Sequence, residues 1–308
     1  MSTIKSILVT GSSGTIGTAL CEILLKDGYE VIGVDKRKNK WSEVVNNLTI
    51  VSDLRDFEQT NSLPTVDLVV HLAANARVYQ LVKNPILAKE NLNILFNVLE
   101  YCRRHRIKRF IFASSREVYG NLDSLSKKEE AVHIFLCESP YAASKLGGEA
   151  FIYAYHKCYD INFVILRFSN VYGKYDESDR VVPFFIRLTK ASKDLIIYGR
   201  EKMLDFTYID DAVEGITKCI RKFDSVANNV FNIATGKGTL LTEVAHLIQK
   251  YMNRYNNKIL IKENRTGEIL KFVADISKAK KLLNYTPKTD IADGIKKSIQ
   301  WYTQISFV

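Results

Sequence analysis

Apolar residues arrive along this chain in two rhythms. Short unbroken runs such as Ile7-Leu8-Val9 mark strands covered on both faces of a parallel sheet. Between them come residues at helical spacing, first Ala19, Leu20, Ile23 and Leu24. The alternation predicts strands over 4–10, 30–35, 48–51, 66–71, 109–113 and 161–167, with helices in between. This is the pattern of an α/β fold built on a doubly wound parallel sheet. A long helix is predicted over 85–104, where Ile86, Leu87, Leu92, Leu95, Val98, Leu99 and Cys102 form one stripe; core packing and a subunit contact both account for it. A second helix is predicted from Tyr141 to about Tyr159. The polar stretch 121–139 before it reads as a flap. No internal repeat, low-complexity tract or linker interrupts the pattern.

The chemistry sits where strands hand over to helices. Gly11-Ser12-Ser13-Gly14-Thr15-Ile16-Gly17 follows the first strand and opens the first helix. Gly11 permits the tight turn, Gly14 the close approach of a pyrophosphate and Gly17 close helix–strand packing, with Ile16 inside the same turn. The helix N-terminus then faces the phosphates. The spacing is GxxGxxG, and its strand–turn–helix context makes it a dinucleotide cradle. Asp35 ends the second strand about 20 residues on, where a carboxylate binds ribose hydroxyls and repels a 2′-phosphate. NAD is therefore favoured over NADP, against the pull of Lys36 and Arg37 next door. After the fourth strand comes His71-Leu72-Ala73-Ala74. The histidine reads as structural, and the small residues let the chain pass close to a cofactor.

Ser114-Ser115-Arg116-Glu117-Val118-Tyr119-Gly120 lies at the carboxyl end of the fifth strand, where such sheets place ligands. Tyr141 and Lys145 stand four apart on the following helix, on one face. An ammonium beside a phenol favours its ionised form, so Lys145 is expected to lower the Tyr141 pKa and make Tyr141 a base for a sugar or alcohol hydroxyl.

Composition narrows the class. Hydrophobic residues make up 46% and charged residues 25%, ordinary for a globular protein with a sizeable core. Lys and Arg outnumber Asp and Glu by 44 to 34, a net charge of +10. The basic runs Lys36-Arg37-Lys38 and Arg103-Arg104-His105-Arg106 are short and read as solvated surface. No nucleic-acid motif accompanies them, and an anionic substrate suits the charge equally well. Five scattered cysteines without a CxxC pair argue for free thiols in the cytoplasm, and against a disulfide framework or a metal site. The chain is expected to start at a strand without a signal peptide, and no apolar run reaches membrane-spanning length.

Taken together, the motifs make the chain resemble an extended short-chain dehydrogenase/reductase of the NAD-dependent nucleotide-sugar epimerase/dehydratase family, of the UDP-glucose 4-epimerase kind. The resemblance rests on Gly11, Gly14 and Gly17, on Asp35, Asp53-Leu54 and His71-Leu72-Ala73-Ala74, and on Ser114-Ser115, Val118-Tyr119-Gly120 and Tyr141 with Lys145. Downstream it continues through Arg167–Gly173, Asp205–Asp211, Phe231–Ala234 and Arg265–Glu268. It implies a Rossmann domain over 1–167, with 206–237 crossing back to it, and a smaller C-terminal α/β substrate domain over 168–205 and 238–308. It implies bound NAD contacted by Asp35, Asp53, Leu54, Leu72, Ala73 and Ala74, with Lys145 on the nicotinamide ribose. Ser115, Tyr141 and Lys145 become the catalytic set. Asn170 and Arg265 hold a UDP-sugar, Arg265 at the diphosphate, and a homodimer forms through paired helices. One position departs from the family: Leu204 stands where an arginine often precedes Asp205, which leaves Arg200 or Lys202 to substitute.

The resemblance leaves the reaction open among three outcomes of one 4-keto intermediate; decarboxylases of UDP-glucuronate share Glu117 but use an arginine at the position matching Phe272, which sets them low. A 4-epimerase needs little beyond Ser115, Tyr141 and Lys145. A 4,6-dehydratase also needs an acid and a base, and Glu117 matches a dehydratase glutamate, although Arg116 stands where many of those enzymes carry aspartate. A Glu117 simply paired with Arg116 is the structural alternative. Phe272 matches a position that gates the sugar 2-substituent, and its bulk favours plain hexoses; a core phenylalanine is the alternative there. The epimerase is preferred, with the dehydratase second and a non-catalytic NAD-binding regulator third.

Overall fold

The computed structural model describes residues 3–122 and 126–305. Its strands are β1 (Ser6–Thr10), β2 (Glu30–Asp35), β3 (Thr49–Val51), β4 (Leu68–His71), β5 (Arg109–Ser115), β6 (Ser126–Lys127), β7 (Asn162–Phe168), β8 (Asn170–Tyr172), β9 (Leu195–Tyr198), β10 (Met203–Tyr208), β11 (Asn229–Ile233), β12 (Gly238–Leu240), β13 (Ile259–Lys262) and β14 (Lys271–Ala274). Seven of them form one parallel sheet in the order β11-β7-β5-β4-β1-β2-β3. Side chains alternate across it. Ile7, Val9, Ile111, Val164 and Leu166 join the core on one face. Leu8, Phe110, Phe112, Phe163 and Ile165 join the core on the other. Both faces are covered, which is why these strands read as solid apolar runs. Strand order reverses between β1 and β4, and the carboxyl ends of those two strands frame the crevice where such folds take ligands.

The second sheet runs β12-β10-β14-β6, and β8 pairs with β10; β9 and β13 form a separate two-stranded ribbon. Residues 206–208 belong to β10 in this second sheet, and the return to the large sheet is made by the Ile209–Arg221 helix and β11. The expected flap is pinned more than its polarity suggested. Ser126–Lys127 pairs with Val273 and Ala274, and Lys127 and Glu129 are buried; the middle of the flap, 123–125, lies outside the described residues. Its tip stays open, with Ile134 and Phe135 exposed.

The 86–104 helix buries Leu95, Val98, Leu99 and Cys102, while Ile86 is exposed. It packs against the Pro140–Tyr159 helix, and Phe96 and Phe151 meet edge to face on the exposed side of that pair. Lys36, Arg37 and Lys38 are exposed, as are Arg103, Arg104 and Arg106. All five cysteines are free. No helix among the described residues is long and apolar enough to cross a membrane.

Candidate active site

Three strand ends build the site. Gly11 follows β1 in a left-handed conformation (φ +73°), and a Cβ there would press on the backbone of Leu72 and Ala73 after β4. A Cβ on Gly17 would overlap the Gly11 carbonyl oxygen, and one on Gly14 would come within 3.2 Å of it. The Thr15–Lys26 helix starts at Gly14 with no side chain capping it, so its N-terminal N–H groups and positive dipole end stay available to an anion. This cradle accepts no side chain and suits the diphosphate of a dinucleotide. Asp35 is buried at the end of β2, where it accepts hydrogen bonds from the Ser13 N–H (3.1 Å) and the Arg37 N–H (3.0 Å). The bonds fix the carboxylate at the rim of the turn and leave it acceptor capacity for ribose hydroxyls.

Thr10, which the motif reading passed over, organises the next segment. Its hydroxyl accepts from the N–H groups of Leu72 and Ala73, both at 3.2 Å. Its own proton therefore goes to His71 Nδ1 at 2.9 Å, which places the histidine proton on Nε2. His71 is stacked by Phe110 and Phe112, and burial, with Lys145 nearby, pushes its pKa down to about 3. It is a neutral structural residue. Asn91 interrupts the apolar stripe of its helix: its amide accepts from Asn75 N–H (2.7 Å) and donates to Asn75 C=O (3.1 Å), which holds the segment after Ala74. Asp53 lies at the outer end of the crevice, partly exposed and paired with Arg55, whose side chain holds the Asp53 carboxyl below its usual range; Leu54 beside it is buried.

The catalytic helix begins where its sequence directs. Ser139 Oγ accepts from Ala142 N–H (3.2 Å), and Pro140 takes the first turn. Three consecutive residues of β5 then grip that helix. The Ser115 side chain, which accepts from the Glu117 N–H (3.2 Å), is near enough to the Tyr141 hydroxyl to lower its pKa. The Ala113 carbonyl accepts from the Lys145 ammonium at 2.7 Å. Ser114 Oγ donates to Glu149 Oε1 at 2.5 Å. Behind them, Arg167 bonds both Glu149 oxygens (2.9 and 2.6 Å) and donates to Tyr119 Oη (3.2 Å) and to the Glu129 carbonyl (2.6 Å). Tyr119 donates to Asn232 Oδ1, and Asn232 reaches the Lys127 and Asp275 carbonyls. A buried polar network thus joins the catalytic helix to the second sheet.

Burial raises the Tyr141 pKa, opposed by Ser115, Arg180 and Arg116; Glu117 raises it further. The Lys145 ammonium donates to Ala113 and lies 4.8 Å from the Phe112 ring centre and 5.9 Å from that of Tyr141. Burial pushes the Lys145 pKa down to about 8, opposed by Glu149. Helical spacing brings phenol and ammonium to one face, and the strand carbonyl takes one of the three ammonium protons.

Buried and half-buried charges follow Ser115 and gather from the second sheet. Arg116 Nη2 pairs with Glu117 Oε1 at 2.7 Å. Lys202 pairs with Glu268, and Arg265 stands 3.8 Å from Glu268. The Arg265 guanidinium lies over Tyr198 (3.7 Å) and Tyr79 (4.7 Å). Glu117 is raised by burial, against the pull of Arg116 and Lys202. Asn170 Nδ2 is buried without a partner. Phe272 has no exposed surface and stacks on Tyr119 (5.7 Å), with Arg116 over its ring; its contacts are those of a core residue. Leu204 is buried, and Lys202 and Arg200, the proposed substitutes for a missing arginine, line a neighbouring cavity of about 820 Å³ together with Lys262, Asn264 and Lys271. That volume suits a small-molecule ligand, and the cavity adjoins the reacting groups through Lys202 rather than enclosing them.

A family model described as NAD dependent epimerase/dehydratase family matches residues 7–234. A relative from Bacillus subtilis, an uncharacterized UDP-glucose epimerase, is 34% identical over 97% of this chain and 98% of its own length. A solved UDP-glucose 4-epimerase of Thermotoga maritima with UDP-glucose superposes at a TM-score of 0.89 with 30% identity, covering 97% of this chain and 99% of that one. A UDP-glucuronic acid 4-epimerase of Bacillus cereus, solved with UDP-glucuronic acid and NAD, superposes at 0.88 with 29% identity over the same shares.

Proposed function

This chain belongs to the NAD dependent epimerase/dehydratase family, and from that premise we propose that it is an NAD-dependent 4-epimerase of UDP-hexoses. The observation that carries the reading is that buried Tyr141 and Lys145 stand on one helix face, with the ammonium 5.9 Å from the phenol ring and bonded to Ala113 at the end of the strand that carries Ser115. Epimerase relatives covering nearly the whole chain support it.

Each residue has a definite task in this mechanism. Gly11, Gly14, Ile16 and Gly17 line the diphosphate cradle, Asp35 takes the adenosine ribose, and Asp53, Leu54, Leu72, Ala73 and Ala74 border the dinucleotide. Bound NAD supplies the hydride acceptor for the sugar C4. Tyr141 takes the proton of the 4-hydroxyl, and Ser115 hydrogen-bonds the same oxygen. Arg180 and Arg116 favour the phenolate through the intervening low-dielectric space. Lys145, fixed by Ala113, faces the nicotinamide ribose. With NAD bound, the same hydride would return to the opposite face of the turned 4-keto sugar, and Tyr141 gives its proton back to O4. Asn170 and Arg265 hold the nucleotide sugar, with the aromatic stack keeping the Arg265 guanidinium in place for the diphosphate. We place the enzyme in the cytoplasm, consistent with its free thiols, as a homodimer joined through the helix pair that exposes Phe96 and Phe151.

The test is product analysis by NMR in deuterated water with UDP-glucose and UDP-galactose. A 4-epimer without deuterium at C5 supports the proposal. A 4-keto-6-deoxy product with deuterium at C5 replaces it with the dehydratase, where the raised carboxyl of Glu117 would serve in proton transfer. No conversion of any nucleotide sugar, with NAD still bound, leaves a regulator.

A further inference from the structure

We infer that Trp301 is a positioning residue for the dinucleotide: through Trp41 and Tyr175 it holds the loop after Asp35 and the start of the glycine-turn helix in place for NAD. The inference rests on the reading of that turn and Asp35 as the NAD site and goes beyond it. Trp301 lies on the Ile291–Gln304 helix, in the stretch expected to serve the sugar nucleotide. Its contacts point to the cofactor instead. Its ring centre lies 5.4 Å from that of Trp41 and 5.5 Å from that of Tyr175, which are 6.3 Å apart. The three half-buried rings close a triangle between the last helix, the loop after β2 and the segment after β8.

Two corners of the triangle belong to the cofactor wall. Trp41 closes the loop that Asp35 begins. Asn39, buried in that loop, accepts from the Trp41 and Ser42 N–H groups (2.8 and 3.0 Å) and donates to the Ser12 carbonyl (3.2 Å) and to Thr18 Oγ1 (2.8 Å). Ser13 Oγ donates to the Arg37 carbonyl (2.9 Å), and the Ser13 and Arg37 N–H groups hold the Asp35 carboxylate. Trp41, Asp35 and the glycine turn are therefore one bonded unit. Tyr175 reaches that unit from the other side. Its carbonyl accepts from Thr15 Oγ1 (3.0 Å) at the first residue of the glycine-turn helix, and its hydroxyl donates to Glu22 (2.9 Å) on the same helix. Tyr175 is left-handed (φ +65°), a conformation that a bulky residue keeps only where its surroundings dictate it. The last helix helps to dictate it: Tyr302, next to Trp301, bonds the carbonyls of Gly173 and Asp176. Lys40, over the Trp41 ring, adds an ion pair to Glu177. Asn170 and Arg265, proposed for the nucleotide sugar, take no part in these contacts. A loop held in its binding shape takes up ligand without a further ordering cost, whereas a slack loop loses affinity as its competent fraction falls.

The experiment measures how fast the holoprotein exchanges its NAD for deuterated NAD in excess, read by mass spectrometry, and how tightly the same holoprotein binds UDP, read by calorimetry. Trp301→Ala removes both aromatic contacts and should speed NAD exchange about tenfold or more. Trp301→Phe keeps a ring and should stay within about threefold of the unsubstituted protein. UDP affinity should change less than about twofold in either. Lys40→Glu sets two exposed carboxylates against each other and should speed exchange about two- to fivefold. The K40E/E177K charge swap should bring the rate back within about twofold, and this pair decides the question if Trp301→Ala does not fold. An unchanged exchange rate in folded Trp301→Ala overturns the inference, as does a Lys40→Glu defect that the charge swap leaves in place. So does a parallel loss of UDP affinity, which would make Trp301 a general support of the fold. A protein that holds no NAD sinks the reading of the cradle and the inference with it. One that holds NAD but no UDP sinks the UDP-hexose reading alone, and the exchange rates still decide the role of Trp301.

Discussion

The two walls of the crevice are built from opposite materials. The wall proposed for the cofactor is backbone and small side chains: the glycine turn, Leu72-Ala73-Ala74, and a neutral His71 held by Thr10. It is shaped by steric exclusion. The wall proposed for the substrate is made of buried and half-buried ions, Arg116 with Glu117 and Lys202 with Glu268, reached by Arg265. It is shaped by charge balance, and Lys202 depends on a partner far away in the chain. A steric wall fails when something is added, and a charge-balanced wall fails when something is removed.

The sharpest way to separate the walls is at the residue between them. Tyr141→Phe removes the proton acceptor and nothing that the cradle uses. Turnover should fall by about 10³-fold or more, while NAD affinity, read by fluorescence titration, stays within about twofold. A comparable loss of NAD binding would mean that the phenol belongs to the cofactor wall as well. Next in size, Glu149→Gln strips the buried Arg167 of its bidentate partner. Losing one member of a buried pair costs about 3–5 kcal/mol, so denaturant unfolding should show a loss of that order. Little loss would indicate that the network to the second sheet is slack. The steric wall is tested by Gly17→Ala, whose methyl would overlap the Gly11 carbonyl. About 1–3 kcal/mol of strain is expected, seen as weakened NAD binding with normal sugar selectivity in whatever turnover survives.

Lys145 is the titrating group that the two walls share. Its folded pKa of about 8 lies below the ordinary lysine value of about 10.4. Between those pH values the unfolded chain binds the proton and the folded one does not, so this group adds stability as pH rises. The gain is at most about 1.4 kcal/mol per pH unit. The stability difference between the unsubstituted protein and Lys145→Met should therefore shift in favour of the former from pH 8 to pH 10, measured by urea unfolding. A flat difference would place the ammonium in water. Smallest of all, Asp53→Asn breaks a partly exposed pair with Arg55 and should change stability by no more than about 1 kcal/mol.

Legibility followed the same division. The steric wall could be read from the chain because its rules are local: Gly11, Gly14 and Gly17 act within seven residues, and Asp35 follows at a fixed distance. The parallel sheet was likewise written in periodicity, and the helix carrying Tyr141 in the spacing of Tyr141 and Lys145. The charge-balanced wall could be read only in part: adjacency offered the Arg116–Glu117 pair, which forms, but nothing near Lys202 in the chain announces Glu268, and nothing near Glu149 announces its grip by Arg167. Spacing on the helix put Tyr141 and Lys145 on one face, but it did not announce the Ala113 carbonyl on the facing strand that accepts from the Lys145 ammonium. Asn91 was the available hint, a polar residue set into an apolar stripe.

The threefold grip of β5 on the catalytic helix has an evolutionary corollary. Ala113, Ser114 and Ser115 each engage a different turn of the helix, so the strand works as a fixed scale against which the helix is aligned. Sliding that scale by one notch flips every side chain to the opposite face and breaks all three engagements at once. Insertions or deletions within 109–115 should therefore be absent from working descendants of this enzyme. The open tip around Ile134–Leu136, beyond the pinned strand of the flap, is free to lengthen, shorten and drift as lineages take up new sugars.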